Sequence, residues 1–572
     1  MTIHNMEVAE KFNRLADLLE IDGANPFRVR AYRNAARIVS GMGKNIADLV
    51  SEDEDLTKFP GIGKDLAEKI KIIIRTGELP LLKQTEKRLP RILSQLMQIE
   101  SLGPKRVQAI YKKLKIKTMT ELKTAIEKGK LRKLAGFGEK TEQKILQGIE
   151  HLKQATSRIK LASSIPIANS LINYLKECKH ADHVECAGSF RRHKETVGDL
   201  DILVTAKNPE KVIEHFVKFD EIATILSQGT TRSTVILHSG IQVDLRVVPQ
   251  KSYGAALLYF TGSKAHNINV RKLAVKKNLK INEYGVFKGD KQIAGKTESS
   301  VYRQVGLPYI DPALREDQGE IEAAKKRKLP TLIALDDIRG DLHAHTNLTD
   351  GDDSLEAMAK AAEALGYDYL AITDHSKHLT VAHGLNQKAL LKQIKAIDKL
   401  NAKLKKLVVL KSIELDILED GSLDLPDAIL KELDLTVCSI HSKFNLSRKK
   451  QTERIMRAMD NRYFTILAHP TGRLINRRAA LDIDIDRILA AAKDKKCILE
   501  LNAQPERLDL NDRYCKIAKE MGIKIAISSD AHSTAQLQTM QFGIYQAERG
   551  WLSKSDVVNT RSLAALKKLF AR

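Results

Sequence analysis

Cysteine is scarce and scattered in this sequence: Cys178, Cys186, Cys438, Cys497 and Cys515 are five in all, with no Cys-x-x-Cys pair among them. An odd, unpatterned set excludes a disulfide framework and predicts a reducing compartment. Long apolar runs are missing too. No stretch approaches the roughly 18 residues that a membrane span needs, and no signal-peptide pattern opens the chain, so a soluble, cytoplasmic protein is expected. Negative charge is in deficit. Lys and Arg number 95 against 72 Asp and Glu, a net +23 over 572 residues. The imbalance is local, with 58 basic and 39 acidic residues in 1–335 but 37 and 33 in 336–572. A basic first half beside a near-balanced second predicts polyanion binding by the first. The length exceeds what one core can organise and predicts three or four domains.

What is present is organised around Gly188–Asp201, GSFRRHKETVGDLD. Asp199 and Asp201 open an apolar run, Ile202–Val204, and alternate residues of a strand share a face. Two adjacent carboxylates repel unless a cation lies between them, and hard oxygen ligands suit Mg²⁺ or Mn²⁺. A lone Asp-x-Asp is more often a solvated pair. The Gly-Ser turn and Arg192 just upstream shift the balance, since backbone N–H groups, a hydroxyl and a guanidinium together hold phosphates. The combination predicts metal-assisted phosphoryl or nucleotidyl transfer. Further on, Ile241, Val243, Leu245 and Val247 alternate with Gln242, Asp244, Arg246 and Val248, which puts Asp244 on a polar strand face as a candidate third carboxylate. Tyr259-Phe260-Thr261-Gly262-Ser263 then precedes a helical stretch in which Asn267 and Arg271, four apart, share one face.

The first 150 residues read as helices broken three times by glycine turns: Phe59–Lys64, Ser101–Lys105 and Leu134–Lys140. Gly61, Gly63, Gly103, Gly136 and Gly138 would let backbone N–H groups and a helix N-terminus approach a phosphate that a Cβ would obstruct. Such turns grip the nucleic-acid backbone without reading bases. Lys69, one turn into the helix after the first of them, is a candidate Schiff-base nucleophile or an ordinary helix lysine.

The last third repeats one design, an apolar run ending in metal-capable residues and followed by a helical stretch. Seven such units predict a (β/α) barrel with its chemistry at the carboxyl-terminal mouth. His343, His345, Asp350, His375, Glu414, His441, His469, Asp530 and His532 would converge there. Six imidazoles and three carboxylates suit Mn²⁺, Zn²⁺ or Fe²⁺ and exceed what one ion requires. Arg473, close behind His469, is read as a phosphate clamp or a structural ion pair.

GSFRR, GDLD, VDLR and YFTGS in this order, after helix-hairpin-helix turns, resemble family X DNA polymerases of the polymerase beta type. The resemblance implies that Asp199, Asp201 and Asp244 bind two Mg²⁺ or Mn²⁺ ions, with Ser189, Arg192, Gly198 and Gly262 in the nucleotide site and Ser189 and Arg192 on the triphosphate. It puts Tyr259 and Phe260 at the nucleotide sugar, and Asn267 and Arg271 at the incoming base and template. Lys69 matches the lysine of that family's 5′-deoxyribose-phosphate lyase domain. Asp65 stands where that pattern has a phosphate-binding lysine, and Phe27 where it has a histidine. GDLHAHTNLTDG, TDHS, Glu414, SIHS, HPTGR and SDAHS resemble the polymerase and histidinol phosphatase (PHP) domain, whose trinuclear metal positions coincide with the nine residues above. Leu348-Thr349 and Ser412 depart from that pattern without removing a ligand.

A multidomain α+β and α/β fold follows as the expectation. It comprises a lyase-like helical domain over 1–85, a second helix-hairpin-helix domain over 86–150, a nucleotidyltransferase palm over 151–250 and a nucleotide-selecting thumb over 251–318. A linker over 319–335 leads to a distorted (β/α)7 PHP barrel over 336–572. The implied activity is short-gap filling in base excision repair, with a Mn²⁺-dependent 3′–5′ exonuclease and, as further options, abasic-site endonuclease or 3′-phosphatase activity. Gapped or primed DNA and dNTPs are the expected partners of a monomer. Competing readings replace DNA with RNA or a small acceptor, or make the barrel a non-catalytic module.

Overall fold

The computed structural model describes residues 5–40, 46–59, 61–88, 93, 96, 102, 104–116, 118–134, 137–139, 141–143, 145–146 and 158–570. Residue contacts divide the chain into two compact units. One takes Met1–Arg158, Tyr174–His183 and Gly198–Val247, the other Ile159–Asn173, Val184–Val197 and Val248–Arg572.

The first unit opens with helices. Along Asn5–Asp22, Val8, Phe12, Leu15 and Leu19 recur on one face and are buried against Tyr32, Ala35 and Val39 of Pro26–Ser40. In Lys64–Thr76, Leu66, Ile70 and Ile73 form the buried stripe, and Gly77 at φ 74° ends the helix by donating its N–H to Ile73 O at 2.8 Å. The same unit contains four neighbouring strands in the order Asp199–Ala206, Gln242–Val248, Arg232–Leu237 and Ile222–Gln228. The last three pair antiparallel. Helix Pro209–Phe216, capped by the Asn208 side chain, buries Val212, Ile213 and Phe216.

In the second unit, helices Tyr253–Thr261 and Lys264–Val275, a small antiparallel sheet over Lys280–Ala294 and helix Glu298–Gln304 share a core of Leu258, Val270, Val286, Val301 and Tyr302. The stretch expected as a linker is more ordered than its composition suggests. Helix Glu320–Lys325 adds Ile321 and Ala324 to that core, and buried Glu320 meets His266 Nδ1 at 2.7 Å. A helix of under two turns leaves no periodicity to read.

The rest of this unit alternates strands and helices. Gly340–Ala344, Tyr369–Ile372 and Val408–Lys411 form one parallel ladder. Glu414–Asp416, Val437–Ser439, Ile466–Leu467, Ile498–Asn502 and Ile525–Ser528 form another. Ile372, Val409, Leu467, Leu499 and Ile527 pack with the helices, while Leu342, Ala371, Leu410, Val437, Ile466 and Ala526 build a second core from the alternate strand face. The seven expected strand runs are present, the third interrupted at Ser412–Ile413, but the ladder is in two pieces rather than one closed cylinder. Isolated bridges His375↔Glu414 and Ala344↔Ala531 span the seams, where the backbone turns to present ligand-type side chains. All five cysteines are buried, and none is in a disulfide. Among the described residues, no helix is long and apolar enough to cross a membrane.

Candidate active sites

In the first unit, Asp199 and Asp201 lie on the half-buried face of their strand while Leu200 between them is fully buried. Asp244 takes the same kind of position on the neighbouring strand. Its two oxygens accept from Thr234 Oγ1 at 2.5 Å and Gln242 Nε2 at 2.7 Å. These neutral donors occupy the carboxylate, and the three aspartates are not among the groups whose ligand atoms gather within 4.8 Å.

Gly61 has φ 102°, a conformation that strains any residue with a Cβ, whereas Gly63 caps helix Lys64–Thr76 with open space where its Cβ would stand. Gly138 is similarly open. Gly103 and Gly136 lie outside the described residues. Lys69 is half-buried in an ion pair with exposed Asp65 one turn earlier. Its amine is engaged by a carboxylate, which gives no support to a Schiff-base role. Phe27 is exposed, with Arg30 over its ring.

In the second unit, Gly188 at φ 61° starts the short helix Gly188–Arg191. Ser189 Oγ is buried and makes no hydrogen bond among the described residues. Arg192 Nε donates to Glu316 Oε1 at 2.9 Å, and its NH1 donates to Thr261 O. Gly262, at φ 70°, leaves room for that guanidinium. Tyr259 and Phe260 meet edge to face at 5.1 Å, and Tyr259 is partly exposed. Asn267 Nδ2 donates to Tyr259 O at 2.7 Å, and Arg271 stands 6.0 Å from the Tyr259 ring centroid. These residues are therefore one local cluster. Gly198, in the first unit, lies close to the Arg158 guanidinium.

All nine residues predicted at the strand ends come together. Glu414 is the hub: Oε2 lies 2.9 Å from His375 Nδ1 and 3.5 and 3.6 Å from His343 and His345 Nε2, while Oε1 lies 3.2 Å from His441 and 3.1 Å from His469. Asp530 Oδ1 sits 3.2 Å from His345, and Asp350 bridges towards His375 and His532 at 3.2 and 3.4 Å. Three overlapping donor groups result: His345–Asp350–His375–His532, His343–His345–Asp530 and His375–Glu414–His441. His343 Nε2, both His345 nitrogens and His375 Nδ1 are buried without a hydrogen bond among the described residues. Inward-facing imidazole nitrogens left without hydrogen bonds beside carboxylates fit divalent cations of borderline softness. His469 and Asp530 have φ of 26° and 52°, so two donors are held in backbone strained for non-glycine residues.

Protonation follows the crowding. Burial pushes His375 down, but Glu414 and Asp350 outweigh it and raise it to about 10. Burial likewise opposes His441, which Glu414 and Asp416 raise to about 9. Burial and the neighbouring His532 and His375 bring His345 to about 4 against the pull of Asp530. Burial would raise Glu414, yet His375, His441 and His343 hold it well below the carboxylate range.

Sequence reasoning missed the groups behind the donors. Glu500 Oε1 hydrogen-bonds His343 Nδ1 at 2.7 Å, and Oε2 accepts the His469 N–H at 2.7 Å. Asn502 donates to Asp530 at 2.9 Å. Asp374 accepts from Thr346 N, Thr346 Oγ1, Thr349 Oγ1 and Gln393 Nε2 beside His375. Polar Glu500 and Asn502 two apart in the buried strand Ile498–Asn502 were the available signal. Arg473 points elsewhere: NH1 and NH2 donate to Glu195 Oε1 and Oε2 at 3.2 and 2.7 Å.

Comparison with known proteins identifies the modules. A helix-hairpin-helix domain matches residues 3–79 and a SAM-like helix-hairpin-helix tandem 93–150. The DNA polymerase beta palm matches 164–273, the DNA polymerase beta thumb 256–316 and the PHP domain 341–530. The chain is 37% identical over 574 aligned residues to the DNA polymerase/3'-5' exonuclease PolX of Bacillus subtilis (strain 168), with 100% of each chain covered. A probable phosphatase of Thermoanaerobacter sp. (strain X514) is 30% identical over 38% of this chain and 85% of its own. DNA polymerase lambda of Rattus norvegicus is 24% identical over 55% of this chain and 57% of its own. Matched end to end and module by module, the chain belongs to the family X DNA polymerases that carry a carboxyl-terminal PHP domain.

Proposed function

We propose that this chain fills short gaps in DNA during base excision repair and removes nucleotides from 3′ ends at a second, metal-dependent site. The observation that carries the two-site reading is the gathering of nine donor-type side chains around Glu414, itself one of them and in contact with five of the six histidines, in a module separate in sequence from Asp199, Asp201 and Asp244. In the polymerase reaction the three aspartates would hold two Mg²⁺ or Mn²⁺ ions. Ser189 and Arg192 take the triphosphate, Tyr259 and Phe260 contact the sugar, and Asn267 and Arg271 read the base pair from helix Lys264–Val275. The glycine turns at Gly61, Gly63 and Gly138 hold the DNA backbone through N–H groups, which suits a substrate defined by its gap rather than its sequence.

In the PHP module three ions, Mn²⁺ or alternatively Zn²⁺ or Fe²⁺, would be held by the three overlapping donor groups. Ions held there would supply activation of water near neutral pH and neutralisation of charge on the phosphodiester. The chain's own residues supply orientation: Glu500 fixes the His343 ring so that Nε2 faces inward, and Asn502 fixes Asp530. The likeness to a probable phosphatase keeps a 3′-phosphatase reaction within the same chemistry. The Tyr259–Phe260 pair beside the nucleotide cluster favours a deoxynucleotide over the RNA reading. The test is whether extension and 3′ degradation can be removed one at a time in the full-length protein.

A further inference from the structure

The segment Gly188–Val197, which carries Ser189 and Arg192, is gripped by side chains from the PHP module. Glu195 receives both guanidinium ends of Arg473, which also donates from NH2 to Leu508 O. The His193 ring stacks on Tyr545 with centroids 3.7 Å apart, and its Nδ1 lies 3.1 Å from Glu548 Oε2. Arg549 NH1 donates to Arg192 O at 2.8 Å and to Glu316 Oε1 at 3.1 Å, the same oxygen that receives Arg192 Nε. From the other side, Thr196–Val197 pairs with Ile159–Lys160, and Lys160 is ion-paired with Glu506. His193 has φ 51°, so this grip includes a non-glycine residue in a left-handed conformation.

We propose that Glu195, Arg473 and His193 are positioning residues for nucleotidyl transfer, and that the PHP module braces the turn on which Ser189 and Arg192 receive the triphosphate. The inference rests on the nucleotide site proposed above. A helix of four residues, Gly188–Arg191, has too few internal bonds to define its own orientation. The buried Ser189 hydroxyl, without a hydrogen bond among the described residues, is the group whose placement the brace determines. The bidentate Arg473–Glu195 pair supplies direction as well as attraction, because a planar guanidinium meets a carboxylate in one orientation. Arg473 thereby links the chain just behind His469 to Glu195, in the turn that carries Ser189 and Arg192.

The test is single-nucleotide gap filling by the full-length protein with Glu195→Gln, Arg473→Gln, the double variant, His193→Asn and Arg192→Ala. Glu195→Gln is expected to raise the dNTP KM about tenfold, the order lost with one hydrogen-bonded charge pair. Its kcat should change by less than about twofold, and 3′ degradation should match the parent protein. The double variant should be no worse than the weaker single, because both remove one interaction. An unchanged KM in Glu195→Gln, or additive effects in the double variant, overturns the brace. If Glu195→Gln proves unfolded, with degradation lost as well, His193→Asn carries the same expectation and the same contrary result. Arg192→Ala separates the two levels. An unchanged KM there removes the nucleotide-site assignment itself, whereas a raised KM there with an unchanged one in Glu195→Gln removes only the brace.

Discussion

Glu414 Oε2 lies 2.9 Å from His375 Nδ1 and near His343 and His345, while Oε1 faces His441 and His469, so a single buried carboxylate meets five of the six histidines of the PHP cluster. Glu414→Gln keeps its volume and removes that charge. Mn²⁺ binding by equilibrium dialysis should fall at least about 100-fold, and 3′ degradation should go with it, while gap filling persists. Glu500→Gln disturbs only the orientation of His343 and should weaken Mn²⁺ binding about 10- to 100-fold. Equal, unaltered binding in both variants would contradict the assignment.

Glu316 is a test of pH dependence away from the metal cluster. Burial alone would raise its carboxyl, but Arg549, Lys194 and Arg192 outweigh burial and hold it at about 2. The folded value lies below the unfolded one, so the stabilisation is complete above about pH 4.5 and is lost as pH falls towards 2. Glu316→Gln leaves Arg549 and Arg192 without their shared carboxylate. The variant should be less stable at pH 7 by about 3 kcal/mol, with a shallower acid limb between pH 4.5 and 2 that converges on the parent curve. Denaturant titrations at stepped pH measure this, and parallel curves would contradict it.

Gly61 and Gly63 separate folding from DNA binding. Gly61→Ala places a Cβ at φ 102° and 2.6 Å from Ile38 Cδ1, so it should destabilise the first unit by about 1–2 kcal/mol. Gly63→Ala meets nothing in the protein and should change stability by less than about 1 kcal/mol. It should nevertheless weaken binding to gapped duplex about tenfold, because the added methyl occupies the space through which a phosphate reaches the helix N-terminus. Unchanged DNA affinity in Gly63→Ala would remove that hairpin from the interface.

The donors were legible because strand ends repeat. His343-Ala344-His345, Asp374-His375 and Asp530-Ala531-His532 each end an apolar run, and a barrel brings such ends to one rim. Asp199, Leu200 and Asp201 were legible for a similar reason, since period-two alternation fixes which face each residue takes. What could not be read is what depends on distant partners. Glu195 and Arg473 are 278 residues apart, and nothing near either one signals the other. The helix Glu320–Lys325 hid within a charged stretch because one buried turn has no period. Glu500 was visible as a polar residue in a buried strand, but its bond to His343 belongs to the fold.

The most direct test of two separate sites is one assay on primed DNA with Mn²⁺, run on Asp201→Ala and on the paired change His343→Ala plus His345→Ala. Asp201→Ala should abolish extension and leave 3′ degradation intact, while the paired histidine variant should extend primers and no longer degrade them. Loss of both activities together in either protein would contradict the two-site reading.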